Sequence, residues 1–315
     1  MAHMKIFITG ISGCVGHYLF DELRSNPNYH FYLLVRDPKK LRFSYKDDPR
    51  ITILPGEMIS VLTYAKLLGE MDTVIHLAAD WGGNQSNYEF TVDMLNALDQ
   101  NKCKKVIVFS TASILGDDNQ LNPLAGEIGT HYIRGKYQLF KRLPDLAIYN
   151  KCHTLFPTWV LGGDSRHPYS HASSGILGLA KWLKLIRFFT VDATFHFIHA
   201  RDIARITKFV LENEVKEKAL VLGNKPISAS AFLRAVCEHY KIPVYFQLPI
   251  PAWLVKGAAG ILGKKLHPWD LYCFEKKHFI YQTIDAATFG LPTDLQGPAE
   301  VIRSLAGSQN KTIRA

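Results

Sequence analysis

The chain has 315 residues, of which 47% are hydrophobic and 21% are charged, so it is long enough to bury a large core in one composite unit or two tightly joined ones. No apolar run reaches the roughly 18 residues that a membrane span requires, and the longest candidate, 249–262, is interrupted by Lys256. The formal net charge of +9 does not indicate nucleic-acid binding, because the basic residues are dispersed along the chain.

The cysteines are scattered without metal-ligand spacing, and their odd number is typical of reduced thiols, so we expect a cytoplasmic protein with no metal site. They are Cys14, Cys103, Cys152, Cys237 and Cys273. Residues 1–3 precede a second methionine and are interpreted as a cloning remnant, and no signal peptide is predicted. The tail over 307–315 is expected to be loose.

The first predicted element is a short apolar strand, Lys5–Thr9, that runs directly into Gly10, Gly13 and Gly16. This spacing is typical of a loop that wraps a pyrophosphate. The first glycine permits a tight turn, the second lets the main chain approach the phosphates, and the third lets a helix pack closely on the strand. The predicted helix, Val15–Arg24, directs its N-terminal N–H groups at the phosphates. The loop therefore predicts a dinucleotide site, to which Ser12, Cys14 and Val15 also contribute.

The second predicted strand, His30–Val35, ends at Arg36, about twenty residues after the third glycine. In a fold of this kind the residue at that position contacts the adenosine ribose. An acid there accepts hydrogen bonds from a 2′-hydroxyl, whereas a guanidinium offers a planar fork of donors to a 2′-phosphate. Arg36 therefore predicts NADP(H) as cofactor, although the neighbouring Asp37 keeps NAD(H) as an alternative.

Further β-branched runs alternate with helical patterns along the chain. Strands are predicted at Ile51–Leu54, Asp72–Leu77, Lys105–Ser110, His153–Val160 and Ala219–Leu222. Strands separated by helices indicate an α/β fold with a doubly wound parallel sheet, a Rossmann core, over residues 4–161 and completed by 196–223. Residues 162–195 and 224–306 do not follow this alternation of strands and helices. They are predicted to form a smaller, mostly helical C-terminal lobe that binds substrate.

In a doubly wound sheet the chemistry sits at the carboxyl ends of the strands. The fourth predicted strand ends at His76 and is followed by Leu77, Ala78 and Ala79, where a flat ring has room against the backbone. The fifth is followed by the hydroxyls of Ser110–Ser113. Tyr132 and Lys136 then lie on one face of a predicted helix, because they are four residues apart.

Taken together, these segments resemble the short-chain dehydrogenase/reductase superfamily, in the extended or atypical branch that includes the NAD-dependent epimerase/dehydratase family. The resemblance covers nearly the whole chain. Thr111 is similar to the catalytic hydroxyl of that family, and Tyr132 and Lys136 are similar to its tyrosine–lysine pair. The segment Phe156–Gly162 resembles the one after the sixth strand, and Phe197–Ala204 resembles the motif near the substrate lobe.

The resemblance also implies roles for residues outside the catalytic set. Phe156 and Thr158 are expected to contact the cofactor, and Lys136 is expected to hydrogen-bond its nicotinamide ribose. Trp81 and Trp159 are expected to contact the substrate.

A free tyrosine has a pKa of about 10 and exchanges protons poorly at neutral pH. An ammonium about 4 Å away, at an effective dielectric constant of about 20, contributes ~4 kcal/mol, which is about three pKa units. We therefore expect Lys136 to lower the pKa of Tyr132, so that this hydroxyl exchanges a proton with a carbonyl or an alcohol. Thr111 then holds the substrate oxygen.

Tyr137 and Lys141 form a second pair with the same spacing. Pro144 places Lys141 close to the end of its helix, and the distance from the first pair to the sixth strand fits the family better, so the first pair is preferred. Tyr137 is interpreted as a packing residue, His76 as a structural hydrogen-bonding residue, and Asp202 as a tie between the two lobes.

Residues near the expected catalytic hydroxyl narrow the choice among the reactions of this family. The sugar-nucleotide 4,6-dehydratases of this family carry an Asp-Glu pair where this chain has Ala112 and Ser113, so dehydration is not expected. The sugar-nucleotide epimerases usually have an asparagine in place of Trp159. A tryptophan offers an apolar wall, which favours a largely apolar substrate, although the aromatics of the lobe have an alternative role as core residues. Those aromatics are Trp182, Phe188, Phe189 and Trp253.

The sequence thus predicts an NADP(H)-dependent oxidoreductase that interconverts a ketone and a secondary alcohol on a largely apolar small molecule. It resembles hydroxysteroid-dehydrogenase-like and dihydroflavonol-reductase-like members. The alternatives are an NAD(P)-dependent nucleotide-sugar epimerase and a non-catalytic dinucleotide-binding sensor. Intact Thr111, Tyr132 and Lys136 argue against a sensor, which needs no proton donor. We expect no nucleic-acid partner, no membrane span, and a monomer or a homodimer.

Overall fold

The computed structural model describes residues 3–80, 87–250, 267–293 and 295–306. Its strands are β1 Met4–Thr9, β2 Tyr29–Val35, β3 Ile51–Pro55, β4 Thr73–His76, β5 Lys105–Phe109, β6 Cys152–Pro157, β7 Trp159–Leu161, β8 Phe189–Thr190, β9 Thr194–Phe195, β10 Phe197–His199, β11 Ala219–Leu222, β12 Ile227–Ser228 and β13 Leu248–Pro249. Within the described ranges, seven parallel strands form one sheet in the order β11-β6-β5-β4-β1-β2-β3. The predicted doubly wound sheet is confirmed.

Helices cover both faces of this sheet. The α-helices of the described ranges, which include those of the lobe, are α1 Cys14–Leu23, α2 Ala65–Leu68, α3 Glu89–Asn96, α4 Pro123–Glu127, α5 His131–Arg142, α6 His171–Leu179, α7 Leu183–Ile186, α8 Ala200–Glu212, α9 Ala229–His239, α10 Pro268–Lys276 and α11 Pro298–Ala306. Side chains of α1 and α8 share a core cluster with Ile6 and Ile8 of β1, while α3 and α5 share another with Phe7. Because alternate residues of a strand face opposite ways, β1 is buried on both sides, as a parallel sheet requires.

The register of the central strands brings several loop entrances to one edge of the sheet. Thr9 at the end of β1 pairs with His76 at the end of β4, and His76 pairs with Val108 of β5. The strand order also reverses beside β1, because β2 and β4 pair with it on opposite sides. Ligands of doubly wound sheets bind at such a reversal, outside the carboxyl ends of the strands.

The predicted strand over 153–160 is wrong in one respect, because two strands in different sheets replace it. Strand β6 ends at Pro157, and β7 leaves the main sheet to pair with β10. Between them, both the N–H and the hydroxyl of Thr158 donate to the Leu222 carbonyl at 2.9 Å. These two hydrogen bonds hold Thr158 at the end of β11, between β6 and β7.

The two stretches assigned to the lobe are joined to each other and to the core. Strand β12 pairs with β9, β13 pairs with β8, and α9 packs against α11. At the junction with the core, His196 contacts the second stretch, with Nδ1 2.7 Å from the Asn224 carbonyl and Nε2 accepting the Tyr281 N–H at 3.1 Å. The buried Asp202 accepts a hydrogen bond from Thr293 at 2.7 Å, which agrees with its expected role as a tie.

Several predictions concern residues that lie outside the described ranges. Others concern a membrane-spanning helix and a metal site. Trp81, Trp253, residues 1–2 and the tail over 307–315 lie outside the described ranges. Within those ranges no helix has the length and apolarity needed to cross a membrane. The described His, Cys, Asp and Glu side chains form no group of three that could hold a metal ion.

Candidate active site

The loop between β1 and α1 shows why its glycines are needed. Gly10 has a φ of +75°, and a Cβ there would lie 2.5 Å from the Ala78 nitrogen. A Cβ on Gly16 would lie 2.5 Å from the Ile11 carbonyl oxygen, so only glycine lets α1 sit this close to the strand. A Cβ on Gly13 would meet no atom closer than 3.4 Å, and this residue is exposed. The first and third glycines therefore serve packing, and the second leaves open space.

The open space at Gly13 fits a dinucleotide pyrophosphate. Gly13 is the N-cap of α1 and supplies no side chain to cap the helix, and the first turn contains no acidic residue. The N–H groups of that turn are thus available to a phosphate, and the positive end of the helix dipole favours an anion. Ser12, Cys14 and Val15 flank this position and are each partly exposed. The residues present therefore fit the predicted cofactor.

The segment after β4 is held by a polar network. The fully buried His76 has Nδ1 2.8 Å from the Thr9 hydroxyl and Nε2 3.1 Å from the Thr91 hydroxyl. Thr9 also accepts the Ala78 N–H at 3.2 Å. Burial and the nearby charge of Lys136 hold the pKa of His76 well below its usual value, so the ring is neutral. His76 thus positions the partly exposed Leu77 and Ala78 and the exposed Ala79, in agreement with its expected structural role.

Arg36 lies at the end of β2 with its side chain 71% exposed, beside an acid that the sequence analysis did not identify. Its guanidinium lies 3.4 Å from the carboxylate of Glu57, which follows β3. Asp37 does not face the same partner, because its carboxylate accepts the N–H of Lys39. The adenosine end of the candidate site therefore offers both a cation and an acceptor.

The predicted catalytic residues meet at the end of β5. The side chains of Thr111 and Tyr132 lie close enough that Thr111 lowers the pKa of Tyr132, and Thr111 donates to the Ser113 hydroxyl at 3.2 Å. One helical turn after Tyr132 on α5, Lys136 is only 1% exposed, and its Nζ donates to the Phe109 carbonyl at 2.8 Å. The N-cap Thr130 accepts the Ile133 N–H and fixes the start of this helix. The structure thus brings together the three residues assigned to catalysis.

The protonation of this pair differs from the expectation. Burial raises the pKa of Tyr132 to about 12, and the hydrogen bond with Thr111 acts in the opposite direction. Burial also lowers the pKa of Lys136 to about 8. The expected lowering of the Tyr132 pKa by Lys136 is therefore wrong in direction here, because desolvation dominates and the ammonium is hydrogen-bonded to Phe109. At neutral pH, Tyr132 carries its proton and is able to donate it.

The second tyrosine–lysine pair has a different environment. Tyr137 packs in a cluster with residues of α4, and a Cβ on Gly126 would lie 2.7 Å from its ring. Lys141 is exposed in the last turn of α5. These positions agree with the interpretation of Tyr137 as a packing residue.

Trp159 forms an aromatic wall with Phe195 and Phe232. Its ring centroid lies 5.1 Å from that of Phe195, nearly perpendicular to it, and 5.7 Å from that of Phe232. Phe232 is buried in the core of the lobe, whereas Trp159 remains 41% exposed. Phe156 is fully buried against Phe140. The wall therefore presents indole surface to solvent.

The comparisons with known proteins agree with this geometry. Residues 6–223 match the NAD dependent epimerase/dehydratase family. The chain belongs to that family. It is therefore an NAD(P)-dependent enzyme of the short-chain dehydrogenase/reductase type, and the family resemblance drawn from its motifs is confirmed. No curated protein sequence matches the chain.

Solved structures of low sequence identity share the fold. The crystal structure of gox2253 has 18% identity and a TM-score of 0.73, with 96% of this chain and 96% of that one covered. The enzyme WbmG from Bordetella bronchiseptica, solved in complex with NAD, has 16% identity and a TM-score of 0.68, with 97% and 94% covered. A UDP-N-acetylglucosamine 4-epimerase from Methanobrevibacter ruminantium has 15% identity and a TM-score of 0.67, with 98% and 99% covered. The family fold thus extends over nearly the whole chain.

Two further residues lie at the candidate site: the sequence analysis did not identify Glu57, and it named Ser110 only among the hydroxyls after the fifth predicted strand. Glu57 follows β3, whose carboxyl end lies beside that of β2, so its position in the strand order was the available signal. Ser110 is buried at the end of β5, and its hydroxyl has no hydrogen-bond partner among the described residues. A buried hydroxyl without a partner is costly, and its place next to Thr111 fits a site that receives a polar ligand. Nothing in the sequence distinguishes Ser110 from its neighbours.

Proposed function

We propose that this member of the family oxidises and reduces a secondary alcohol carbon beside the end of β5. Tyr132 exchanges the proton with the substrate oxygen, Thr111 holds that oxygen, and Lys136 holds the nicotinamide ribose. The observation that carries this proposal is that Thr111 and Tyr132 lie together at the end of β5, one helical turn from the buried ammonium of Lys136. A protonated tyrosine suits the reductive direction, because the reduced oxygen needs a proton.

A bound nicotinamide dinucleotide supplies hydride transfer at the substrate carbon. The protein's part is to bind and orient it. In this proposal Gly10, Gly13 and Gly16 shape the pyrophosphate cradle, and Arg36 forms a charge-assisted bond with a 2′-phosphate. NADP(H) is thus the proposed preference, with Glu57 as the acceptor that permits NAD(H).

We propose a nucleotide sugar as the substrate, and epimerisation by oxidation and re-reduction of one alcohol carbon as the reaction. Family membership supports this choice, as does the shared fold of a UDP-N-acetylglucosamine 4-epimerase. The two halves then have distinct roles. Residues 4–161 and 196–223 bind the cofactor, and residues 162–195 and 224–306 form the lobe that binds substrate.

A second candidate is favoured by one specific observation, the exposed aromatic wall at Trp159. An indole surface backed by Phe195 and Phe232 offers apolar contact to a substrate. The second candidate function is reduction of a largely apolar ketone to a secondary alcohol, with oxidation of that alcohol as the reverse reaction.

The experiment that separates the two candidates measures products. The protein is incubated with NAD⁺ or NADP⁺ and UDP-, dTDP- or GDP-sugars, and nuclear magnetic resonance follows formation of an epimer. In parallel, NADPH and NADH oxidation is followed with a panel of apolar ketones. An epimer formed without net change of the nicotinamide supports the first candidate. Net NADPH oxidation by a ketone, with no epimer from any sugar, contradicts it and supports the second.

A further inference from the structure

The lobe carries an exposed apolar row beside its own core. Between α6 and α7, Ala180 and Leu183 are buried in the lobe core. The residues that alternate with them point outward: Leu179, Trp182 and Leu185 are 54%, 53% and 58% exposed. Their spacing of three in a helical stretch places them along one side. Scattered single apolar residues are normal on a surface, but a row of this kind is not.

A second segment continues this row. Strand β13 pairs with β8, so that Leu248 lies beside Phe189, and both side chains are exposed. Before the strand, the ring of the exposed Phe246 lies 5.2 Å from that of Phe188. We call the combined surface the lobe face. It consists of Leu179, Trp182, Leu185, Phe189, Phe246 and Leu248.

The charges on the lobe face have one sign. Lys181 and Lys184 are exposed between the apolar residues, and Nζ of Lys181 lies 5.9 Å from the ring centroid of Trp182. The sequence has no Asp or Glu from 165 to 191 or from 239 to 269, although the chain contains 28 acidic residues. Asp192, directly after the first stretch, lies 3.6 Å from both Lys277 and His278. The lobe face therefore combines exposed indole, phenyl and leucyl groups with cations that have no acid beside them in sequence.

We propose that the lobe face binds the surface of an anionic lipid bilayer. Tryptophan, phenylalanine and leucine enter the boundary between headgroups and acyl chains, and lysines beside them bind anionic headgroups while their stems lie along apolar surface. No spanning helix is needed, because attachment at the interface uses side chains on one face only.

Charge complementarity favours a bilayer over a second copy of the chain. A symmetric dimer through this surface would bring Lys181 and Lys184 of both copies into one interface, and the sequence supplies no Asp or Glu from 165 to 191 or from 239 to 269 to pair with them. An anionic bilayer provides the missing negative charge over the whole face. This inference is independent of which substrate the active site takes.

The test uses the full chain and vesicles of stated composition. Flotation with vesicles of phosphatidylcholine alone, or with 30% phosphatidylglycerol, measures bound protein at low and high salt. We expect binding to the anionic vesicles that is at least tenfold tighter than to phosphatidylcholine alone, and weaker at high salt. Equal, negligible binding to both vesicle types overturns the proposal.

Two matched variant pairs locate the contact. K181E/K184E should reduce binding to anionic vesicles at least tenfold, whereas K46E/K66E, which changes the same charge at exposed positions elsewhere, should reduce it much less. W182S/L185S should also reduce binding, whereas the exposed pair I59S/L62S should not. Equal losses within each matched pair contradict the assignment to the lobe face. All four variants alter exposed side chains, and a thermal melt checks that each one folds.

A spectroscopic readout tests insertion directly. Brominated lipids quench tryptophan that reaches the acyl region, and the difference between wild type and W182F isolates Trp182. We expect quenching that is largely lost in W182F. Retention of full quenching in W182F overturns insertion through this face. A dimer in light scattering that W182S/L185S dissociates, without vesicle binding, overturns the bilayer in favour of a second copy.

Discussion

The dinucleotide loop and the helical part of the lobe are packed in opposite ways. A Cβ on Gly10 or Gly16 would collide with backbone at 2.5 Å, whereas a Cβ on Gly175 or Gly178 in α6 would meet nothing within 4 Å. In the loop, backbone geometry dictates the residue type. In α6 it does not, and large apolar side chains close to that helix stay exposed. The loop proposed to bind the cofactor is therefore held by fixed backbone contacts, while the lobe leaves room for its side chains to adapt to a partner.

The largest expected effect on stability comes from filling the tight contact at α1. Gly16→Ala puts a methyl group 2.5 Å from the Ile11 carbonyl, so the helix must move, and we expect a loss of about 3 kcal/mol of unfolding free energy. Urea unfolding measures it. Gly13→Ala is the matched control, because its Cβ meets nothing closer than 3.4 Å and should leave stability nearly unchanged while weakening cofactor binding. Equal stability of the two variants would contradict the tight packing inferred at Gly16 and the open space inferred at Gly13.

Acidification should destabilise both halves. Among the described residues, burial lowers the pKa of six histidines, to about 3 for His199, so the native state takes up fewer protons than the unfolded chain. The others are His17, His76, His153, His196 and His239. The contribution of these histidines to the free energy of unfolding is complete above pH 6.5. It is lost as the pH falls below 6.5, by up to about 1.4 kcal/mol per histidine and pH unit.

Urea titrations should therefore show a lower free energy of unfolding at pH 5.5 than at pH 7.0. The carboxyls of Asp48 and Asp164 act in a different window. Because their pKa values are lowered, their contribution falls only below about pH 4. A flat stability between pH 7.0 and 5.5 contradicts the assignment of neutral buried rings.

A smaller effect concerns the choice of dinucleotide. Arg36→Ala removes the charge-assisted contact proposed for a 2′-phosphate, and NADPH affinity should fall about tenfold while NADH affinity changes little. Glu57→Gln removes the competing acceptor and should favour NADPH. Calorimetric titration of both cofactors gives the four comparisons. Equal wild-type affinity for NADPH and NADH would contradict the role of Arg36.

The smallest effect belongs to the open helix of the lobe. Gly175→Ala lies inside α6 with free space around it, so the gain in helix propensity should stabilise the protein by about 0.5–1 kcal/mol. Thermal unfolding measures the shift. A loss of stability would show that the lobe is packed more tightly than these distances indicate.

Local rules made the cofactor half predictable from the sequence. The glycine spacing, the strand ending at Arg36 and the four-residue step from Tyr132 to Lys136 depend on short stretches of backbone, and the structure agrees with each. The position of Glu57 was missed, because it depends on the pairing of β2 with β3. The division of the predicted strand after β6 was missed too, since it depends on the distant carbonyl of Leu222.

Electrostatics could be predicted only in part. The sequence places an ammonium near a phenol, but burial and the Phe109 carbonyl decide the direction in which the pKa of Tyr132 moves. In the same way, the sequence shows which residues of the lobe are aromatic, but it does not show that Phe232 is buried and Trp182 is exposed. Burial follows from the assembled fold, and composition alone does not contain it.

The central claim is that Tyr132 exchanges the proton, and it is tested most directly by Tyr132→Phe beside Tyr137→Phe. The first variant keeps the ring and removes the hydroxyl that lies beside Thr111, so cofactor affinity should persist while turnover falls by about 10²–10⁴. The second variant alters a packing residue and should change turnover little. The measurement is the single-turnover rate with the substrate found by the product assay. Near-wild-type turnover of Tyr132→Phe, or a comparable loss in Tyr137→Phe alone, would contradict the account.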